Sequence, residues 1–305
     1  MGWAALCASA GWHVAIFDLN PGTIERASLE IERRARALVA LDRAPAAIVE
    51  QGLRDLVRAN SLAEAIQDAD WVIEAIHEDV VAKQKLFAAI EQVAAVEPLI
   101  SSSSSGLAPT EIFGRMRRLD RCLVTHPLNP PELLPVVEVV PEGRTSSATI
   151  ARAVEYLRAL GRHPIMLKKA IPGYVVGRVA AAVWRECIDL VLRGVISVDD
   201  LDRAVSMGPG IGWAAAGPHL TYHLAAGEGG IRGFVQHLLA SFESWWQQLS
   251  HWAQLDPEQQ RTLIQGIERA YKGKVEFLRE ARDRRLNAIL KALEHARANP
   301  SARDQ

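Results

Sequence analysis

The feature that most constrains this chain is an alternation, over residues 13–167, of short apolar runs with longer amphipathic stretches. His13-Val14-Ala15-Ile16-Phe17-Asp18 is the first run, and an acid ends it. Trp71–Ile76, Pro98–Ser101, Arg121–Thr125, Pro135–Val140 and His163–Leu167 repeat the pattern. Between them Thr23–Asp42, Val80–Val93 and Ser146–Leu160 carry apolar residues at helical spacing. Short β-branched runs separated by helices pair mostly in parallel, through right-handed crossovers that cover both faces of one sheet. An α/β fold is therefore expected.

From Ile171 the strands stop. Pro172-Gly173 punctuates the chain, and Val175, Val176, Val179, Val183, Trp184, Cys187, Ile188 and Val191 then recur at helical spacing, the stripe of a core-facing helix. Ser197 with Asp200 resembles the capping box of a further helix. Two domains are expected, an α/β one over 1–170 and an all-helical one over 171–305. With 49% hydrophobic and 23% charged residues and a net charge of −1, the chain has neither a disordered composition nor the basic excess of a nucleic-acid binder. Cys7, Cys122 and Cys187 are odd in number and far apart, which fits free thiols in a reducing compartment. Trp3–Ala10 is apolar and Ala8-Ser9-Ala10 imitates a signal-peptidase site, but no basic residue precedes it and a strand follows. No run has the length of a membrane span, so a cytoplasmic protein is expected.

Residues 2–10 read as a helix stopped by Gly11, and Asp18 then ends the strand that follows. In a dinucleotide-binding βαβ unit an acid at that place accepts bonds from ribose hydroxyls and repels a 2′-phosphate, which favours NAD over NADP. Asp18 reads equally well as a solvated strand-end carboxylate. The glycine loop and first strand of such a unit would lie upstream of Met1, so the expected sheet is Rossmann-like but lacks its first strand. A start codon set too late and true loss of the loop both account for this, and the intact remaining pattern favours the first.

The chemistry-bearing residues cluster after the later strands. His126 opens His126-Pro127-Leu128-Asn129-Pro130-Pro131, and Glu138 stands inside Val136-Val137-Glu138-Val139-Val140. A carboxylate among β-branched residues needs a partner, and a His–Glu pair supplies both a partner and a general base. Ser101–Ser105 follows a strand at the carboxyl end of the sheet, where hydroxyls meet ligands, unless the tract is a plain linker. Glu78 and Lys83 read as cofactor contacts or as solvated helix-end charges. His219 and His223 sit four apart with no third ligand, so no metal site is expected.

Together, Val72-Ile73-Glu74-Ala75-Ile76-His77-Glu78 with Lys83, the serine tract, the His126 motif, Pro135–Val140 and Ile171-Pro172-Gly173-Tyr174-Val175-Val176 resemble the 3-hydroxyacyl-CoA dehydrogenase superfamily. The resemblance reaches to about residue 235. The double proline after Asn129, and Gly208-Pro209-Gly210-Ile211 with Trp213-Ala214, look like its branch acting on small acids such as gulonate or carnitine. It implies NAD-dependent oxidation of a 3-hydroxyl to a ketone, in a homodimer formed through the helical domain. Other readings are a 3-hydroxyacyl-CoA substrate and a non-catalytic binding or structural descendant. By the same resemblance His126 is the base, Glu138 orients it, and Ser104 or a neighbour binds the substrate oxygen. Asp18, Glu78 and Lys83 touch NAD. Gly177 stands where the family carries Asn, and Gly212 where the branch carries Arg, for which Arg185 or Arg232 would substitute.

Overall fold

In the computed structural model residues 1–94 and 97–298 are described, and the chain divides into two compact units, 1–178 and 179 onward. The first unit begins with α1 (Gly2–Ser9), which ends before Gly11 in the left-handed conformation (φ +78°). There follow β1 (Ala15–Ile16), α2 (Pro21–Ala40), α3 (Ala46–Arg54), β2 (Val57–Arg58) and α4 (Leu62–Ile66). The alternating part contains β3 (Trp71–Glu74), α5 (Val80–Val93), β4 (Leu99–Ser102), α6 (Pro109–Ile112), β5 (Cys122–Pro127), β6 (Val136–Pro141), α7 (Ser147–Ala159) and β7 (His163–Met166).

The helix starts follow local chemistry. Asn20, Asp79 and Ser146 each turn a side-chain oxygen onto a first-turn amide of α2, α5 and α7. Five strands form one sheet in chain order, β3-β4-β5-β6-β7. The pairs β3–β4, β4–β5 and β6–β7 are parallel, whereas β5–β6 is antiparallel. Only residues 128–135 separate β5 from β6, too few for a parallel crossover, so the chain doubles back.

Strands β1 and β2 pair in parallel as a separate two-stranded sheet. Among the described residues no strand joins it to the five-stranded sheet, as expected of a Rossmann-like sheet without its first strand. The sequence pattern missed β2, α3 and α4. Two-residue strands carry no periodicity, and Ala46–Arg54 lay in a stretch left unassigned between strands.

Alternation along the strands divides the core. Leu99, Leu123, Val137 and Val139 pack on Trp3, Leu6 and Leu157 on one face. Ile100, Val124 and Val140 pack on Phe87, Ile90, Phe113 and Tyr174 on the other. A third cluster, with Ala5, Ile31, Ala35 and Val49, joins α1, α2 and α3 through small side chains that let the helices approach closely.

The helix α8 (Val176–Leu192) runs across the boundary at residue 178. The second unit continues with α9 (Val198–Met207), α10 (Pro209–Ala225), α11 (Gly230–His237), α12 (Leu239–Trp246), α13 (Pro257–Ala270) and α14 (Val275–Ala298). Ser197 caps α9 as the sequence indicated. The expected burial of the α8 stripe is not found: only Ile188 is buried, and Val179 and Trp184 are exposed. The period of that stripe was right, but among the described residues Val176, Val183, Cys187 and Val191 are only half-buried. No helix of the described residues is long and apolar enough to cross a membrane, and the three cysteines are free thiols.

The approach of α1 to α3 is testable. A Cβ at Gly52 would lie 2.2 Å from the Ala8 carbonyl oxygen, a backbone atom that cannot swing away. Gly52→Ala is expected to cost about 1–3 kcal/mol by overpacking, read as a lower urea midpoint. An unchanged midpoint would contradict this packing.

Candidate active site

Antiparallel pairing of β5 with β6 sets His126 directly opposite Glu138 on one face. His126 Nδ1 lies 2.8 Å from Glu138 Oε2, with the His126 side chain 9% and the Glu138 side chain 0% exposed. The other oxygen, Oε1, accepts from the backbone amides of Val175 (2.9 Å) and Val176 (3.1 Å) at the start of α8. A carboxylate there is favoured by the exposed amides and positive dipole end of a helix. With Glu138 accepting, Nδ1 carries the ring proton and Nε2 keeps its lone pair for chemistry.

The Pro172–Val176 segment also closes on the serine tract. Gly173 and Tyr174 both have left-handed backbones (φ +75° and +45°). Tyr174 is fully buried, its ring centroid 5.5 Å from that of His126, and its hydroxyl donates to the Leu107 carbonyl at 2.7 Å. Burial pushes the phenol well above its ordinary range. Gly106 must be glycine here, because a Cβ would meet the Gly173 nitrogen at 2.7 Å.

Within the tract the hydroxyls have different fates. Ser101 Oγ accepts from Trp71 Nε1 (2.8 Å) and Thr125 Oγ1 (3.0 Å), and Ser103 Oγ accepts from Trp3 Nε1 (3.1 Å). Ser102 donates to Glu74 Oε2 at 2.5 Å. Ser104 donates to Glu78 Oε1 (2.9 Å) and accepts from the Leu107 amide (3.1 Å). Ser105 gives its backbone amide to Glu78 at 2.6 Å, and the residue is exposed. Desolvation works against charge on Glu78. The Ser105 amide, the Ser104 hydroxyl and Lys83 together outweigh it and hold the carboxyl below its ordinary value.

Of the residues singled out in the sequence, two groups are thus brought together: His126 with Glu138, and Ser104 with Glu78 and Lys83. Asp18 stands apart, accepting from the Asn20 amide at 2.8 Å. Lys83 is only 1% exposed and lies 2.7 Å from Glu74, so it faces the interior rather than the open side of the site. Glu74 and Tyr174 were missed. Glu74 ends an apolar strand as conspicuously as Glu138 interrupts one, so the same test for a buried charge would have found it. Among the described residues no group of His, Cys, Asp and Glu is arranged to hold a metal.

Of the groups a dinucleotide needs, Asp18 could offer a carboxylate to ribose hydroxyls, whereas the uncapped first turn of α1 is buried, with Pro131 and the Glu132 carboxylate packed against Gly2. At the same helix end Glu132 is buried, with one oxygen on Arg34 at 2.7 Å and the other, Oε2, without a partner.

Residues 1–170 match the family model described as 3-hydroxyacyl-CoA dehydrogenase, NAD binding domain, and residues 173–264 match its C-terminal domain. The L-carnitine dehydrogenase of Nocardiopsis dassonvillei is 34% identical over 96% of this chain and 88% of its own. The lambda-crystallin homolog of Bos taurus is 36% identical over 73% of this chain and 70% of its own. The solved structure of an NAD-dependent dismutase, 5-formyl-3-hydroxy-2-methylpyridine 4-carboxylic acid 5-dehydrogenase, superposes with a TM-score of 0.79 at 29% identity, covering 96% of this chain and 94% of that one. The chain belongs to the 3-hydroxyacyl-CoA dehydrogenase family, and its cofactor is NAD.

Proposed function

We propose that this NAD-dependent hydroxy acid dehydrogenase oxidises the 3-hydroxyl of a small, gulonate- or carnitine-like acid to the ketone. The observation that carries the reading is the buried His126–Glu138 pair at 2.8 Å, beside a serine tract that shares the Tyr174 wall. His126 Nε2 takes the proton of the substrate hydroxyl as the carbon–hydrogen bond on the same carbon breaks. Glu138 keeps the imidazole in the required tautomer and stabilises imidazolium once the proton has moved. When bound, NAD would supply the hydride acceptor and would be held by Asp18 and Glu78. The relatives named L-carnitine dehydrogenase favour a small acid over a coenzyme A thioester.

Ser104 fits the substrate-binding role less well than its neighbour, because its hydroxyl is already engaged with Glu78 and Leu107. In this reading Ser105 offers its hydroxyl to the substrate oxygen. Gly177 leaves space next to it, since a Cβ there would touch nothing nearer than the Ser105 carbonyl oxygen at 4.0 Å.

The helices from α8 onward expose Val179, Trp184, Leu224, Trp245 and Phe277. Apolar surface of that extent supports a homodimer formed through this unit. Free thiols at Cys7, Cys122 and Cys187 support a reducing, cytoplasmic location.

His126→Ala is expected to lower kcat by on the order of 10²–10⁴-fold, followed as NADH formation with L-carnitine and with gulonate. Near-normal turnover would remove His126 from the chemistry, and saturable activity with acetoacetyl-CoA alone would replace the substrate class. Ser105→Ala is expected to cost more in kcat/KM than Ser104→Ala does; the reverse order would return the role to Ser104. Light scattering at micromolar concentration is expected to give twice the chain mass for the wild type and one chain mass for Trp184→Asp. A monomeric wild type would rule out the dimer.

A further inference from the structure

A buried ammonium is tolerated only when each of its three hydrogens is met, and a buried carboxylate only when both oxygens are. Lys83 Nζ has Glu74 Oε1 at 2.7 Å, the Ile76 carbonyl at 3.2 Å and Glu78 Oε2 at 3.3 Å. Those three acceptors use all of its donors, and with 1% exposure it has no N–H left for a ligand. Glu74 Oε1 also accepts from the Ile76 amide at 2.6 Å, while Oε2 takes the Ser102 hydroxyl at 2.5 Å. Two branches leave this pair. One passes through Ser102 Oγ to the Ser104 amide at 3.1 Å, and the other through Lys83 and Glu78 to the Ser105 amide at 2.6 Å. They end on consecutive amides, those of buried Ser104 and exposed Ser105.

We propose that Glu74 and Lys83 are positioning residues, a buried ion pair that fixes the Ser104–Ser105 backbone, and that Lys83 reaches the cofactor only through Glu78. A pair serving stability alone has no reason to send its two branches to consecutive amides of the tract, one of them that of exposed Ser105. The inference rests on the dehydrogenase reading for what Ser105 and Glu78 meet, but the contacts themselves do not depend on it.

Three variants test it: Glu74→Gln, Lys83→Met, and the double change Glu74→Leu with Lys83→Met, which replaces an ion pair by apolar side chains and is expected to fold. Amide exchange in the chain without cofactor is expected to speed up over residues 102–107 by on the order of tenfold, the effect of losing one buried hydrogen bond, with residues 122–140 unchanged. In steady state, kcat falls by up to about 10²-fold, as expected for a small displacement of a positioning group. NADH affinity changes alike in Glu74→Gln and Lys83→Met.

A folded double variant with wild-type exchange at 102–107 overturns the positioning role, and if the double variant does not fold, the same result in Glu74→Gln decides. NADH binding lost in Lys83→Met but kept in Glu74→Gln overturns the indirect route by showing a direct contact. A wild type without dehydrogenase activity counts against the proposed function, while the exchange measurement still decides this one.

Discussion

Glu138 lies wholly out of solvent in the middle of an apolar strand, and a carboxylate can stay there only if both oxygens are engaged. One oxygen faces His126 and the other takes the first amides of α8. The residue that meets His126 therefore also holds the start of α8. Gly173 and Tyr174, two successive left-handed residues, lead the chain to that anchor. Tyr174 then closes the space between His126 and the serine loop. Removing the Glu138 charge would leave two helix amides and an imidazole unmet together, so its effects on chemistry and on local order are not separable by a single substitution.

The second centre of order, the end of β3, is built on the same logic with opposite geometry. Glu138 holds an imidazole and two backbone amides, while Glu74 holds an ammonium, a hydroxyl and a backbone amide. Between them, four of the five serines spend their hydroxyls on indoles or carboxylates, and the tract becomes a rigid ledge rather than a flexible linker. Rigidity of this kind matters where a hydroxyl must meet a reacting oxygen within tenths of an ångström.

Much of this was legible in the sequence, for reasons that can be stated residue by residue. A charge inside Val136–Val140 has few explanations, and the short connection from His126 allows only a cross-strand partner. Strands over 71–76 and 121–140 announced themselves by β-branched runs. The ranking of the serines was not legible, because identical residues differ only in which distant side chain has claimed them. Lys83 read as a cofactor contact or a solvated helix-end charge, since helical spacing does not say that its ammonium turns inward to a strand-end glutamate. The α8 stripe was visible as apolar, but its partial burial was not, because spacing alone does not say how far neighbouring segments cover a helix.

Trp3 and Trp71 meet edge to face at 5.6 Å, and each donates its indole N–H to a serine of the tract. Two of the chain's eight tryptophans are thus wired into the loop beside His126. Indole emission responds to the polarity around the ring and to the hydrogen bond at its nitrogen, so the protein carries an intrinsic optical reporter of that loop. Any ligand or substitution that shifts the serines should register in its fluorescence before turnover is measured.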